Sequence, residues 1–204
     1  MRFTSPLTLI ALLCLALPSF AAPVPTLDID AADLAARGIT GSKVAARPPT
    51  AQQMINGGMI DTPRTDKAFF WSGPNPQPAG LRRLRVVATD FAEKNDFDYV
   101  GSMLTAKGNA VINLIKNPGI TAEFQEEFWD NASEAFAELT TGKVTVMLEG
   151  DPATGPPPPA NLVFAKVEAP VLEQRKAAGL VSDVVRVGRD FATTKKSVSL
   201  KLPL

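Results

Sequence analysis

Leu81, Leu84, Val87, Ala88 and Phe91 recur at helical spacing, and the stretch from Tyr99 to Ile115 predicts a second helix, weakened by Gly101 and Gly108. A third helix is predicted over Thr121–Leu139. Thr121 can cap it, Glu123, Glu126 and Glu127 suit the positive end of its dipole, and Gly142 ends it. Phe124, Phe128, Ala132, Ala135 and Leu139 form its buried stripe. Trp129 and Ser133 stand one turn apart on the flank of that stripe.

After Gly142 the period changes. "KVTVMLE" (143–149), "LVFAKVEA" (162–169), "SDVVRVG" (182–188) and "SVSLKL" (197–202) read as strands, and "APVLEQRKAAGL" as a helical crossover. The spacing favours a small, mostly parallel sheet. The expected fold class is α/β: an N-terminal helical lobe (66–142), then a small, mostly parallel β-sheet with crossover helices (143–204). "GPNPQPAG" (73–80) and "GDPATGPPPPA" (150–160) are loops. In the 162–169 strand, Glu168 falls at the carboxyl end, where open α/β sheets bind their ligands.

Two segments precede this region. Arg2, the apolar run Leu7–Leu17 and the small residues Ser19 and Ala21 predict a signal peptide over 1–21 and a secreted, extracellular product. The run is too short to cross a bilayer. Residues 22–65 are rich in Ala and Pro and read as a leader or flexible arm, with one short helix over Asp28–Arg37.

Composition narrows the chemistry. The chain has no histidine, and its single cysteine, Cys14, lies in the signal segment. That removes the common zinc ligands, a mature Cys nucleophile and any Ser-His-Asp arrangement, and leaves packing rather than disulfides to hold the fold. With 21 basic and 21 acidic residues, nothing suggests nucleic acid or a membrane surface as partner. No metal site is expected. Neither "GSKVAA" nor "GNAVIN" has the form of a phosphate loop. Asn131-Ala132-Ser133 is a glycosylation sequon, but in mid-helix beside Trp129 a glycan on Asn131 would be disruptive, and the sequon is expected to go unused.

The two tryptophans each follow a phenylalanine, in "FFWSG" (69–73) and "EFW" (127–129). Most aromatics in amphipathic segments are core, yet Trp71-Ser72-Gly73 opens into a Pro-rich loop. The ordered set Phe128-Trp129, Ser133, Phe136-Ala137-Glu138 and Val146-Met147-Leu148-Glu149-Gly150 resembles the central segment of the ADP-ribosyl cyclase family, NAD-cleaving ectoenzymes of animals. Trp71-Ser72 upstream and Phe164-Ala165-Lys166-Val167-Glu168 downstream fit the same pattern, over about residues 68–190. Secreted bacterial and fungal toxin domains related to these enzymes are more similar still, sharing "AFFWSG" and the Glu-x-Pro-x-Leu ending Glu168-Ala169-Pro170-Val171-Leu172.

The resemblance implies a secreted NAD glycohydrolase, giving nicotinamide and ADP-ribose, with a cyclic product where the adenine folds back. Catalytic roles pass to Glu168, which stabilises the oxocarbenium-like charge, and Trp129, which stacks on the nicotinamide. Trp71 would face Trp129 across the pocket, while Ser72 and Ser133 bind ribose and phosphates. NAD is then a substrate and no cofactor is needed. A toxin of this kind leaves room for an immunity or inhibitor protein as partner; the oligomeric state is open. One departure stands out: the family acid near the nicotinamide amide falls at Val100 or Gly101 here, with Asp96 and Asp98 nearby. A catalytically impaired NAD-binding or effector protein is therefore the alternative, and a structural domain with both tryptophans in the core is a third reading.

Overall fold

The computed structural model describes residues 47–73, 84–116, 119–153, 159–189, 197–200 and 202. The signal segment, the 28–37 helix and most of the 73–80 loop lie outside them. The elements are α1 (Ala51–Asn56), β1 (Phe69–Ser72), α2 (Leu84–Lys94), α3 (Val100–Met103), α4 (Ala106–Ile115), α5 (Ala122–Leu139) and β2 (Gly142–Leu148). A π-helical turn (Phe164–Glu168), α6 (Ala169–Ala177), β3 (Val181–Gly188) and β4 (Ser197–Ser199) follow.

The four strands form one sheet in the order β1-β2-β3-β4. β1, β2 and β3 run parallel and β4 antiparallel, so the sheet is mostly parallel as expected. β2 is central, and its last five residues are all buried, as suits a strand covered on both faces. On one face, Phe70, Val144, Val146 and Val184 pack with Phe128, Ala132 and Phe136 of α5 and with Phe164 and Leu172. On the other, Phe69, Met147 and Val187 pack with Leu84, Ala88 and Phe91 of α2.

α5 forms as its sequence predicts. Thr121 accepts a hydrogen bond from the Phe124 N–H (3.2 Å), and Phe128, Ala132, Ala135 and Phe136 are wholly buried. The helix stops at Leu139, and Gly142 instead opens β2 at φ 75°, where a Cβ would also strike Asp66.

The structure differs from the sequence reading at four places. The strand expected over 162–169 is helical. Its buried residues Phe164, Glu168 and Leu172 recur every fourth position, and the Lys166 N–H bonds the Leu162 carbonyl (2.9 Å). Val163 and Val167 gave the segment its strand-like composition, but the packed face has helical period.

The helix expected over 99–115 is two. Leu104 is extended and bridges Ile60, and Thr105 caps α4. Gly108, which weakens a lone helix, lets α4 approach the Met59 carbonyl, where a Cβ would clash.

The "FFWS" segment is a strand, paired Phe70 to Val146 and Ser72 to Leu148. The part expected to be helical (66–142) therefore contributes an edge of the sheet, and the two parts interlock. Finally, the described end of the 22–65 arm belongs to the body. Thr50 and Gln53 form a capping box for α1, Met54 is fully buried, and Met59 and Ile60 join the same core. Three large apolar side chains within seven residues suffice to anchor it.

Candidate functional site

Glu168 is the last residue of the π-helical turn and runs directly into α6, whose first turn holds Pro170. The wider turn interrupts the α-helical register, a feature often found at functional positions. Glu168 is only 3 % exposed, and its Oε2 has no hydrogen-bond partner among the described residues. Burial pushes its carboxyl up to about 8. The Ser133 hydroxyl, within hydrogen-bonding reach, and Glu168's own backbone N–H pull it down, while the charge of Asp130 pushes it up. In the unliganded protein at neutral pH this carboxyl is therefore mostly protonated.

A cavity of about 1020 Å³ reaches Asp130, whose charge acts on Glu168, and is also lined by Ser72, Trp129, Leu148, Lys166 and Arg186 among others. That volume lies at the upper end of the roughly 300–1,000 Å³ common for ligand pockets. Ser72 and Leu148 end β1 and β2, which places the cavity outside the carboxyl ends of parallel strands, the usual position in open α/β sheets. Trp129 stands edge-on to Phe128 (ring centroids 5.4 Å apart), Phe128 inside the core and Trp129 on the cavity wall. Lys166 Nζ pairs with Asp130 Oδ2 at 3.1 Å. The Arg186 guanidinium donates to the Glu149 carbonyl (2.7 Å), and Arg189 pairs with the Glu149 carboxylate (2.7 Å).

The expected site residues divide. Trp129 and Ser72 line the cavity, and Ser133 stands beside Glu168; Glu168 and Ser133 are themselves buried and do not line it. Glu168 reaches this position from a helical turn rather than from a strand end. Trp71 is elsewhere. Its strand alternation turns it to the opposite face of the sheet from Phe70 and Ser72, where it contacts Tyr99 (5.4 Å) and Phe69 (5.9 Å). The two tryptophans do not face each other.

Asn131 donates to the Pro49 carbonyl (3.0 Å), so glycosylation of its amide would disturb the contact holding the first described residues to α5. Val100 packs against the main core and Gly101 against the Tyr99 ring, and neither lines the cavity. Asp96 and Asp98 are clamped by Arg64, at 3.0 and 2.7 Å. Burial alone would raise Asp98, but the Arg64 hydrogen bonds and charge outweigh it and hold the carboxyl below its ordinary value. These two acids are structural.

Sequence reasoning gave no site role to Asp130, Lys166 or Arg186. Asp130 had a signal: it directly follows Trp129. Among the described residues, no cluster of three His, Cys, Asp or Glu side chains could hold a metal ion, and no helix is long and apolar enough to cross a membrane.

The model of the family described as ADP-ribosyl cyclase matches residues 117–201. That span carries Trp129, Ser133 and Glu168. No curated protein matches the chain. Among solved structures, an Aplysia cyclase complexed with its substrate NGD and product cGDPR aligns at 22% identity with a TM-score of 0.42, over 61% of this chain and 49% of that one. An ADP ribosyl cyclase complexed with N1-cIDPR aligns at 21% identity and TM-score 0.42, over 61% and 50%. The chain thus spans about half the length of the structures it matches.

Proposed function

We propose that this chain is a secreted NAD glycohydrolase of the microbial toxin type, cleaving the bond between nicotinamide and ribose. The observation that carries the reading is the buried Glu168 carboxyl, with Ser133 beside it and one oxygen unengaged among the described residues, next to a cavity whose wall holds Trp129. The family match over 117–201 and the signal-like N-terminus add to it.

The chemistry follows from the substrate's own charge. Nicotinamide in NAD is a pyridinium, so it leaves as a neutral molecule and needs no general acid. Cleavage shifts positive charge from the ring to the ribose. A fixed carboxylate stabilises that charge more in the transition state than in the ground state, and in a buried site such a group is worth a few kcal/mol. Binding a cation beside Glu168 also lowers its proton affinity, so substrate binding ionises the acid that burial keeps neutral. Water then attacks the ribosyl cation, and the Glu168 carboxylate takes the proton that water loses. Trp129 offers a face on which the pyridinium stacks.

One observation favours a second reading, a catalytically impaired NAD-binding effector. Glu168 is buried and absent from the cavity wall. NAD bearing a fluorogenic adenine, mixed with wild type and Glu168→Gln, separates the two. Release by wild type that vanishes in the variant supports the enzyme. Quenching of tryptophan without release supports the binder, and release that persists in Glu168→Gln removes Glu168 from the mechanism.

A further inference from the structure

Two bridges tie α5 to the π-helical turn. Lys166 Nζ meets Asp130 Oδ2 at 3.1 Å, and three residues further along α5 the Ser133 hydroxyl comes within hydrogen-bonding reach of Glu168. Between the two bridges the turn changes register. The Lys166 N–H bonds the Leu162 carbonyl four residues back (2.9 Å), whereas the Ala169 N–H bonds the Phe164 carbonyl five back. Glu168 thus sits in the step that accommodates one extra residue. Shifting that step by one position swings its side chain by about 100°.

Packing holds the turn to the helix without choosing this register. Phe164 and Leu172 are wholly buried in the core they share with α5, but apolar contacts carry little direction. The ion pair does the opposite. With the Lys166 side chain 64% exposed and that of Asp130 27%, it adds little to stability, yet it fixes one residue of the turn opposite one residue of α5. We propose that Lys166 is a positioning residue: paired with Asp130, it pins the turn just before its register change and so keeps Glu168 on Ser133. Its consequence for catalysis rests on the glycohydrolase reading; the geometry is measurable without turnover.

Infrared difference spectra at about pH 6 provide that measurement. Glu168 is protonated there, since burial pushes its carboxyl up to about 8, and its C=O stretch is the band that Glu168→Gln removes. Ser133→Ala should move the band to higher frequency, the mark of a lost hydrogen bond. Lys166→Met, which keeps the apolar stem, should move it the same way, and Lys166→Arg should leave it in place. Because both bridges serve one contact, Lys166→Met added to Ser133→Ala should move it no further. In NAD cleavage, Lys166→Met should lower kcat about tenfold, with KM and the urea midpoint little changed. A band that ignores either single change, an additive shift in the double variant, or a rise in KM alone overturns the proposal. If the band behaves as expected but wild type releases no nicotinamide, Lys166 keeps its role and the glycohydrolase reading fails. Cleavage that depends on Glu168 while the band ignores Lys166→Met sinks only the present inference.

Discussion

Two Phe-Trp pairs in one chain have opposite fates, and backbone geometry decides which. In β1, neighbouring side chains point to opposite faces, so Phe70 enters the core against Phe136 (4.9 Å) while Trp71 is sent to the back of the sheet beside Tyr99. In α5, neighbours are separated by about 100°, so Phe128 is fully buried and Trp129 turns only as far as the flank, into the cavity wall. The same dipeptide thus yields a core residue each time. Its tryptophan becomes packing in the strand and a binding surface in the helix.

The largest effect expected to sharpen this contrast is on the front side. Glu168→Gln should lower kcat for NAD cleavage about a hundred- to thousandfold, as removal of one preorganised electrostatic group does elsewhere. It should not destabilise the fold at pH 8. The folded-state value of about 8 lies above the ordinary 4.5, so between those values the folded protein binds more protons than the unfolded chain. Stability contributed by the neutral acid is full below about 4.5 and is lost as pH rises toward 8. Denaturant titration across that window should show a falling slope in wild type that Glu168→Gln removes.

A smaller effect comes from exchanging the roles of the tryptophans. Trp129→Ala should weaken NAD binding by about ten- to a hundredfold, the loss of a stacking and cation–π partner. Because the ring is half-buried against the main core, the change should also lower stability by about 1–3 kcal/mol. Trp71→Ala should lower stability alone. Removing a half-buried ring from the back cluster costs about 1–3 kcal/mol, read as a lower urea midpoint, and leaves NAD affinity within a few-fold. Should Trp71→Ala instead abolish binding with stability intact, the two faces of the sheet are not independent.

How much of this was legible before the structure depends on where the signal lay. α5, with its cap, its stripe and Trp129 one turn from Ser133, was readable because eighteen consecutive residues keep one period. β2 and β3 were readable from their β-branched runs. The 162–169 segment was not. Eight residues with two valines and a phenylalanine fit either period, and only the burial of Phe164, Glu168 and Leu172 together decides for a helix. Glu168 was singled out for the wrong local reason, as a strand end, although the cavity does lie at strand ends supplied by Ser72 and Leu148. Trp71 failed because "FFWS" was not recognised as a strand, and without the strand its alternation could not be applied. Met54 escaped notice because one turn of helix among Ala and Pro carries too few apolar residues to show a period.

The finest comparison is between the two groups that tune Glu168 from α5. Ser133 and Asp130 stand three residues apart on that helix and act in opposite directions, the hydroxyl lowering and the carboxylate raising the Glu168 value. If the ionised acid is the active form, kcat/KM for NAD in wild type should climb with pH through about 8, since that profile reports the free enzyme. Ser133→Ala removes a donor to the carboxylate, so its midpoint should move to higher pH. Asp130→Asn removes a like charge, so its midpoint should move lower. Lys166 partly neutralises Asp130, so Lys166→Met should expose the full negative charge and move the midpoint up, in the same direction as Ser133→Ala. Three variants then shift one titration in stated directions. A common shift in all three would mean that each merely loosens the packing around Glu168, and opposite signs for Ser133→Ala and Asp130→Asn require that both act on its charge.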